Sequence, residues 1–315
     1  MPHTGTTGAP SAPWLCVRQY RAMMDGRAPV ERMGQTGAMA DLDGTTVVIT
    51  GASSGIGAAT ARALAARGAK LLLACRSESR TAPVLDQLAA AGTPALGVVP
   101  IDLGDLDAVR SAADAIAKQL PRIDILINNA GLGARRGLTD SGFELAFGTN
   151  HVGHFLLTTR LIDALGDGAP RRVVTVASKS HYQAKGIDFD AVRRPTHSMT
   201  GMPEYAVSKL ANVLFSQELA RRVAGRGIHT YALHPGVIAS EIWRNVPWPL
   251  RPVMTRFMKS PEEGARTVVY CASSPEVADD TGCYYTDCVV KEPNAAATPK
   301  LAAELWSRSE EWVAA

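Results

Sequence analysis

Tyr205 and Lys209 stand four residues apart in Tyr205-Ala206-Val207-Ser208-Lys209, a spacing that puts both side chains on one face of a helix, one turn apart. A phenol beside an ammonium can exchange a proton with an alcohol or carbonyl oxygen, because the cation favours the phenolate. Work near neutrality asks a free tyrosine to shift by about 3 units, roughly 4 kcal/mol. One cation about 4 Å away at an effective dielectric of about 20 supplies that much. Upstream, Thr50-Gly51-Ala52-Ser53-Ser54-Gly55-Ile56-Gly57 spaces its glycines as G-x-x-x-G-x-G. Between an apolar strand and an alanine-rich helix, such a turn lets backbone amides, here those of Ser53, Ser54, Gly55, Ile56 and Gly57 beside Gly51, approach a pyrophosphate at a helix N-terminus. Hydride transfer with a nicotinamide dinucleotide is the chemistry these two features imply together.

The elements that must position them alternate regularly. Apolar strands are expected at 47–50, 71–75, 95–101, 123–128, 173–178 and 228–234, with a late one near 283–285, and alanine-rich helical stretches lie between them. Continuous apolar strands joined by amphipathic helices predict a single doubly wound α/β Rossmann domain. We expect a parallel seven-stranded sheet in the order 3-2-1-4-5-6-7 with helices on both faces, and ligands at the carboxyl ends of the strands. Two long irregular stretches, 179–204 and 241–260, follow strands on that side and are expected to border a substrate. Residues 1–40, rich in Gly, Pro, Thr and Met, read as a mobile extension before a domain at 41–315, and Met39 is a natural alternative start.

Other strand ends carry candidate cofactor contacts. Ala74-Cys75-Arg76 places a guanidinium, and no carboxylate, where a ribose would lie. Arg76 therefore favours a 2′-phosphate and NADP(H) over NAD(H). Asp102, with Leu103 beside it, follows the third strand, where a carboxylate can accept the adenine amino group or cap a helix. Asn128-Asn129-Ala130-Gly131 ends the fourth strand with amides and small residues, which suits a chain passing close to a cofactor.

Composition excludes several other classes. A net charge of +3 with arginine pairs scattered along the chain lacks the massed patch of a nucleic-acid binder. The five cysteines, Cys16, Cys75, Cys271, Cys283 and Cys288, are odd in number and form no C-x-x-C pair, which predicts free thiols in a reducing compartment and no structural zinc. No apolar run approaches the roughly 18 residues of a membrane span. No secretory signal order is seen at the start, so a cytoplasmic protein is expected.

Thr50 to Gly57, Asn128 to Gly131, Ser178, Tyr205-x-x-x-Lys209 and Pro235-Gly236, in that order, resemble the short-chain dehydrogenase/reductase family over about Leu42 to Pro293. Ala74-Cys75-Arg76, the run Asn150-His151-Val152-Gly153-His154-Phe155-Leu156-Leu157-Thr158, the run from Tyr205 to Asn212 and Asp287-Cys288-x-Val290-Lys291-Glu292-Pro293 are similar to its retinol dehydrogenase and WW-domain oxidoreductase branch. That resemblance implies NADP(H) and a lipophilic alcohol or carbonyl. It implies Tyr205 as general acid/base, Lys209 on the nicotinamide ribose, Ser178 on the reacting oxygen and Asn150 supporting a water that leads protons to Lys209. It also implies that Pro235, Gly236, Val237, Ile238 and Ser240 face the nicotinamide carboxamide, with Ser240 standing where the family usually has Thr.

Trp243, Trp248, Met254, Phe257 and Met258 read as an apolar cover over a lipophilic substrate or as packing against a partner subunit. His151 and His154 lack a third metal ligand and read as helix packing. Ser178, His181 and Asp188 lack the G-x-S-x-G elbow of a hydrolase. A ketoreductase acting on carrier-bound or polyketide-type oxo groups is the alternative enzyme, and a nucleotide-binding scaffold without turnover the alternative outside catalysis. Long helices beginning near Asn150 and Pro203 suit a homodimer or homotetramer, or burial by the sheet alone.

Overall fold

The computed structural model describes Cys16 and residues 41–166, 171–236 and 260–314. Outside the described residues lie Val237, Ile238, Ser240, the expected loop 241–260 save Ser260, and the expected extension 1–40 save Cys16.

Strands β1 (Thr46–Thr50), β2 (Lys70–Cys75), β3 (Gly97–Pro100), β4 (Ile125–Asn128), β5 (Arg171–Val176), β6 (Ile228–His234) and β7 (Cys283–Thr286) are joined side by side in parallel. Central strands such as β4 and β5 are buried throughout. β4 runs apolar from Ile125 to Ile127, as burial on both faces requires, whereas β5 opens with Arg171, paired with Asp124, and Arg172, which donates to the carbonyls of Cys271 and Ser274. Helices α1 (Gly55–Ala65), α2 (Glu78–Ala90), α3 (Leu106–Gln119), α4 (Gly153–Leu161), α5 (Met202–Arg222), α6 (Pro261–Ser273) and α7 (Pro299–Ala314) flank the sheet. One core packs Val48, Leu72 and Leu126 against α3, α4, α5 and α7. The other packs Val47, Ile49 and Leu71 against α1, α2 and α6. Alternate residues of one strand thus feed opposite faces, as the pleat requires.

The sheet is larger than expected. An eighth strand, β8 (Val289–Lys291), pairs antiparallel with β7 and gives the order β3-β2-β1-β4-β5-β6-β7-β8. Its cause is a two-residue turn at Asp287 and Cys288, both with positive φ, 52° and 62°, the geometry that matches the twist of a hairpin.

The cysteine expectation is also corrected. Cys16 is buried and joined by a disulfide to Cys283 at the start of β7, across a sequence separation of 267. Cys75, Cys271 and Cys288 are thiols outside any disulfide. Spacing carried no sign of the pair, because its partners meet only once β7 is in the sheet. No helix among the described residues is long and apolar enough to cross a membrane.

Candidate active site

At the carboxyl end of β1 the chain turns sharply into α1. Gly51 has φ 68°, and a methyl on it would lie 2.8 Å from the Ala130 Cα. A methyl on Gly57 would lie 2.3 Å from the Gly51 carbonyl oxygen and 2.5 Å from Asn129 Nδ2. Ser54 precedes the helix without capping it through its side chain, so the first amides of α1 point outward at the positive end of the helix dipole. Asn129 donates to the carbonyls of Thr50 (2.8 Å) and Gly51 (3.2 Å), so its side chain braces the turn.

Thr50 joins this turn to the end of β4. Its hydroxyl accepts from the amides of Asn129 (3.0 Å) and Ala130 (2.9 Å) and lies 2.9 Å from His154 Nε2. His154 Nδ1 faces the Asn150 carbonyl at 3.1 Å and therefore carries the ring proton, leaving Nε2 to accept from Thr50. Burial, opposed by that bond to Asn150 and aided by Lys209, holds the imidazole down to about 4, so it is neutral. His151 instead meets Ser309 at 3.0 Å, and the two histidines serve separate contacts.

Asn150 lies in a π-helical turn, Gly148–Val152, just ahead of α4. Such turns widen a helix locally and recur where side chains must be aimed. Its carboxamide accepts from the Leu132 amide (2.7 Å) and donates to the Leu132 carbonyl (3.1 Å) and Ser208 Oγ (2.9 Å). A methyl on Gly131 would lie 3.0 Å from Asn150 Oδ1 and 3.5 Å from Lys209 Nζ, which puts the three residues at one spot. Ser208 then donates to the Tyr205 carbonyl (2.8 Å).

Helix α5 brings Tyr205 and Lys209 beneath the end of β5. Lys209 donates to the Val176 carbonyl at 2.9 Å, and Asn212 donates to the same oxygen at 3.1 Å. Burial lowers the Lys209 ammonium to about 8. Tyr205 is pushed up by burial and partly drawn back by a hydrogen bond with the Ser178 side chain. The expected dominance of a cation at about 4 Å is therefore corrected. Nζ sits 5.8 Å from the centroid of the Tyr205 ring, and desolvation decides the direction.

Ser178, next after Ala177 at the end of β5, accepts from the Ser180 amide at 3.2 Å and donates to Ser180 Oγ at 3.3 Å. Beyond β6, Pro235 is buried and Gly236 has φ 103°, on the same edge of the sheet. Arg76 follows β2 and lies 3.9 Å from Asp102, both well exposed. Asp102 accepts from the Gly104 amide at 2.9 Å, whereas the N-cap of α3 is Asp105, so the capping alternative for Asp102 is corrected. The Leu103 side chain points into the core, and its carbonyl comes within 2.3 Å of a methyl built on Gly153. The hydrolase arrangement is absent. His181 Nδ1 meets the Ser178 backbone carbonyl at 2.6 Å, while Asp188 accepts from the amides of Asp190 and Ala191.

Ser208, His154, His181 and Asn294 were not foreseen as parts of this site. Ser208 sits inside the Tyr205 to Lys209 motif, which was a usable sign. Asn294, far along the chain, offered none.

These are the arrangements of oxidoreductases that work on a bound dinucleotide. The short chain dehydrogenase family model matches residues 45–189. Human retinol dehydrogenase 14 is 38% identical over 320 residues, covering 94% of this chain and 93% of that protein. Human dehydrogenase/reductase SDR family member 13 is 41% identical, covering 87% of this chain and 74% of that protein. Among solved structures, a short chain dehydrogenase from Burkholderia cenocepacia J2315 in complex with NADP aligns with a TM-score of 0.64 at 28% identity, covering 82% of this chain and 99% of that one. The chain belongs to the short-chain dehydrogenase family and is an oxidoreductase.

Proposed function

We propose that this enzyme moves a hydride between NADP(H) and a lipophilic alcohol, aldehyde or ketone, with Tyr205 as general acid/base. The placement of the Ser178 side chain against the Tyr205 phenol, beside the buried Lys209, carries the reading. It joins the two hydroxyls that a reacting oxygen needs, one to hold it and one to exchange its proton.

The residues fit a dinucleotide. No methyl can be added at Gly57 without meeting backbone, and the start of α1 is left uncapped, as a phosphate cradle requires. In this reading Gly51 and residues 53–57 hold the pyrophosphate, Arg76 the 2′-phosphate and Asp102 the adenine, with Leu103 contributing backbone only. Asn129, Ala130 and Gly131 back the cofactor, Tyr205 and Lys209 hold the nicotinamide ribose, and Pro235, Gly236, Val237, Ile238 and Ser240 the carboxamide. The bound nicotinamide supplies or takes up the hydride. Tyr205 gives its proton to the oxygen of a carbonyl under reduction or takes one from an alcohol under oxidation. Ser178 holds that oxygen, and Asn150, on Leu132 and Ser208, keeps the π-helical turn against Lys209.

Retinol, in the name of the human relative, is an isoprenoid alcohol and supports a lipophilic substrate for this chain. The same reading takes residues 41–315 as one catalytic domain after the extension 1–40, within the retinol dehydrogenase and WW-domain oxidoreductase branch. It acts as a homodimer or homotetramer without a nucleic-acid partner, the last supported by the net charge of +3, while the cytoplasmic expectation loses its free-thiol support to the Cys16–Cys283 disulfide.

Titration of the purified chain with NADPH and NADH, then turnover on medium-chain and isoprenoid aldehydes and ketones, tests the proposal. NADPH is expected to bind more tightly, and Arg76→Ala to narrow that preference. Tyr205→Phe is expected to keep NADPH binding and lose turnover by at least about 100-fold. A preference for NADH overturns the assignment of Arg76. Turnover restricted to acyl thioesters favours the ketoreductase, and binding without turnover the scaffold.

A further inference from the structure

Ser178 is held from behind by a latch that the reaction itself does not explain. Its backbone carbonyl accepts twice from His181, from the backbone amide at 3.1 Å and from the ring Nδ1 at 2.6 Å, which fills both lone pairs. The imidazole is fully buried. Its Nδ1 faces a carbonyl, so the proton resides there and Nε2 is an acceptor. That acceptor is met by the backbone amide of Asn294 at 3.1 Å.

Asn294 follows β8 and reaches back with its side chain as well, donating to the carbonyls of His181 and Ala184, each at 2.6 Å. Tyr182 adds a second tie through its hydroxyl to the Glu292 carbonyl. The rings of Tyr182 and Tyr284 enclose the imidazole at centroid distances of 4.0 and 4.7 Å. The 3₁₀ turn at Lys179–Gln183 is thereby fastened to the segment that the β7–β8 hairpin delivers. A turn that only needed to stay folded would be served by its own backbone bonds. Here a buried ring puts one nitrogen on the Ser178 carbonyl and the other on the Asn294 amide, while the Ser178 hydroxyl donates to Ser180 Oγ at 3.3 Å and its side chain lies against Tyr205.

We propose that His181 and Asn294 are positioning residues for Ser178: the imidazole, braced by the Asn294 amide, fixes the Ser178 carbonyl and with it the aim of the Ser178 hydroxyl at Tyr205. The inference rests on the reading of Ser178 and Tyr205 as the catalytic hydroxyls. The hairpin at the far edge of the sheet is, on this account, part of the catalytic apparatus through the residue it places.

The ring is neutral at working pH. Burial lowers its pKa and the bond to Ser178 opposes that. The titratable groups facing it are Tyr182 and Tyr284, with Lys291 and Glu292 beside Tyr182.

The test is a double-mutant cycle on the full chain, read as kcat for NADPH-dependent reduction of the best aldehyde of the panel. A second readout is the pH titration of Tyr205, taken as the ultraviolet difference from Tyr205→Phe. His181→Ala and Asn294→Ala are each expected to lower kcat about 10- to 100-fold with NADPH affinity unchanged. Both should also raise the pH at which Tyr205 ionises, since the Ser178 side chain holds that value down. His181→Asn, which keeps a donor near the Nδ1 position, should recover much of the loss. In a Ser178→Ala background neither substitution should cost anything further.

Losses that multiply in the Ser178→Ala background overturn the proposal, as does an unshifted Tyr205 titration in Asn294→Ala. Should His181→Ala fail to fold, Asn294→Ala decides alone. A Ser178→Ala enzyme with full kcat removes the catalytic reading itself, a failure that these arms separate from failure of the latch.

Discussion

Lys209 is an ammonium held in the interior at a cost. Its pKa falls from 10.5 to about 8 because burial disfavours the charge, which corresponds to roughly 3 kcal/mol. The penalty is fully present below about 8, where the folded protein still carries the proton. Between about 8 and 10.5 the unfolded chain binds more protons than the native one, so this residue's contribution to stability improves as pH rises. Lys209→Met is therefore expected to abolish turnover yet melt no lower than the wild type at pH about 7, since Asn212 still serves the Val176 carbonyl. Thermal melts across the alkaline range should show that advantage shrinking. Tyr205 gives a companion expectation. Burial raises it, so the protonated phenol prevails at neutral pH, where carbonyl reduction should run well. Alcohol oxidation needs the phenolate and should climb toward alkaline pH; initial rates in both directions decide, and an oxidation rate that falls with pH would contradict the role.

Among the elements, the turn from β1 into α1 shows how differently two neighbouring glycines are used. A methyl at Gly57 meets the Gly51 carbonyl and the Asn129 amide, whereas at Gly55 it meets open space. Gly57→Ala is expected to cost about 1–3 kcal/mol through overpacking and to weaken NADPH binding sharply. Gly55→Ala, at φ 55°, should lose about 1–2 kcal/mol from backbone strain alone. Denaturant melts and NADPH titrations of the pair separate the two causes. The glycine pattern and the apolar strands were legible because each reports a local requirement. The hairpin was not: its positive-φ positions are Asp287 and Cys288, without the Asn-Gly or Asp-Gly that usually announces such a turn. Tyr205 and Lys209 could be read from their spacing, and Ser178 only through the family resemblance. Whether a cation or burial governs Tyr205 could not, because desolvation depends on everything packed around the phenol.

At the scale of the whole molecule, the Cys16–Cys283 disulfide ties a residue near the start of the chain to the seventh strand. Closing so long a loop restricts the unfolded chain and should contribute up to about 5 kcal/mol. Reductant, or Cys16→Ser, is accordingly expected to lower the melting temperature. Thiol titration under denaturing, non-reducing conditions should find three reactive cysteines, Cys75, Cys271 and Cys288, and five after reduction. Five thiols without reductant would remove the bond.

That bond also changes what a cut means. From Cys16 to Cys283 the polypeptide is a closed ring, so a single protease nick anywhere within it opens the ring and releases nothing. Both ends of the break stay on one covalent piece, with every strand before β7 still chained to it. Nicked and intact protein should run as one mass in a non-reducing gel and part into fragments only when the disulfide is reduced.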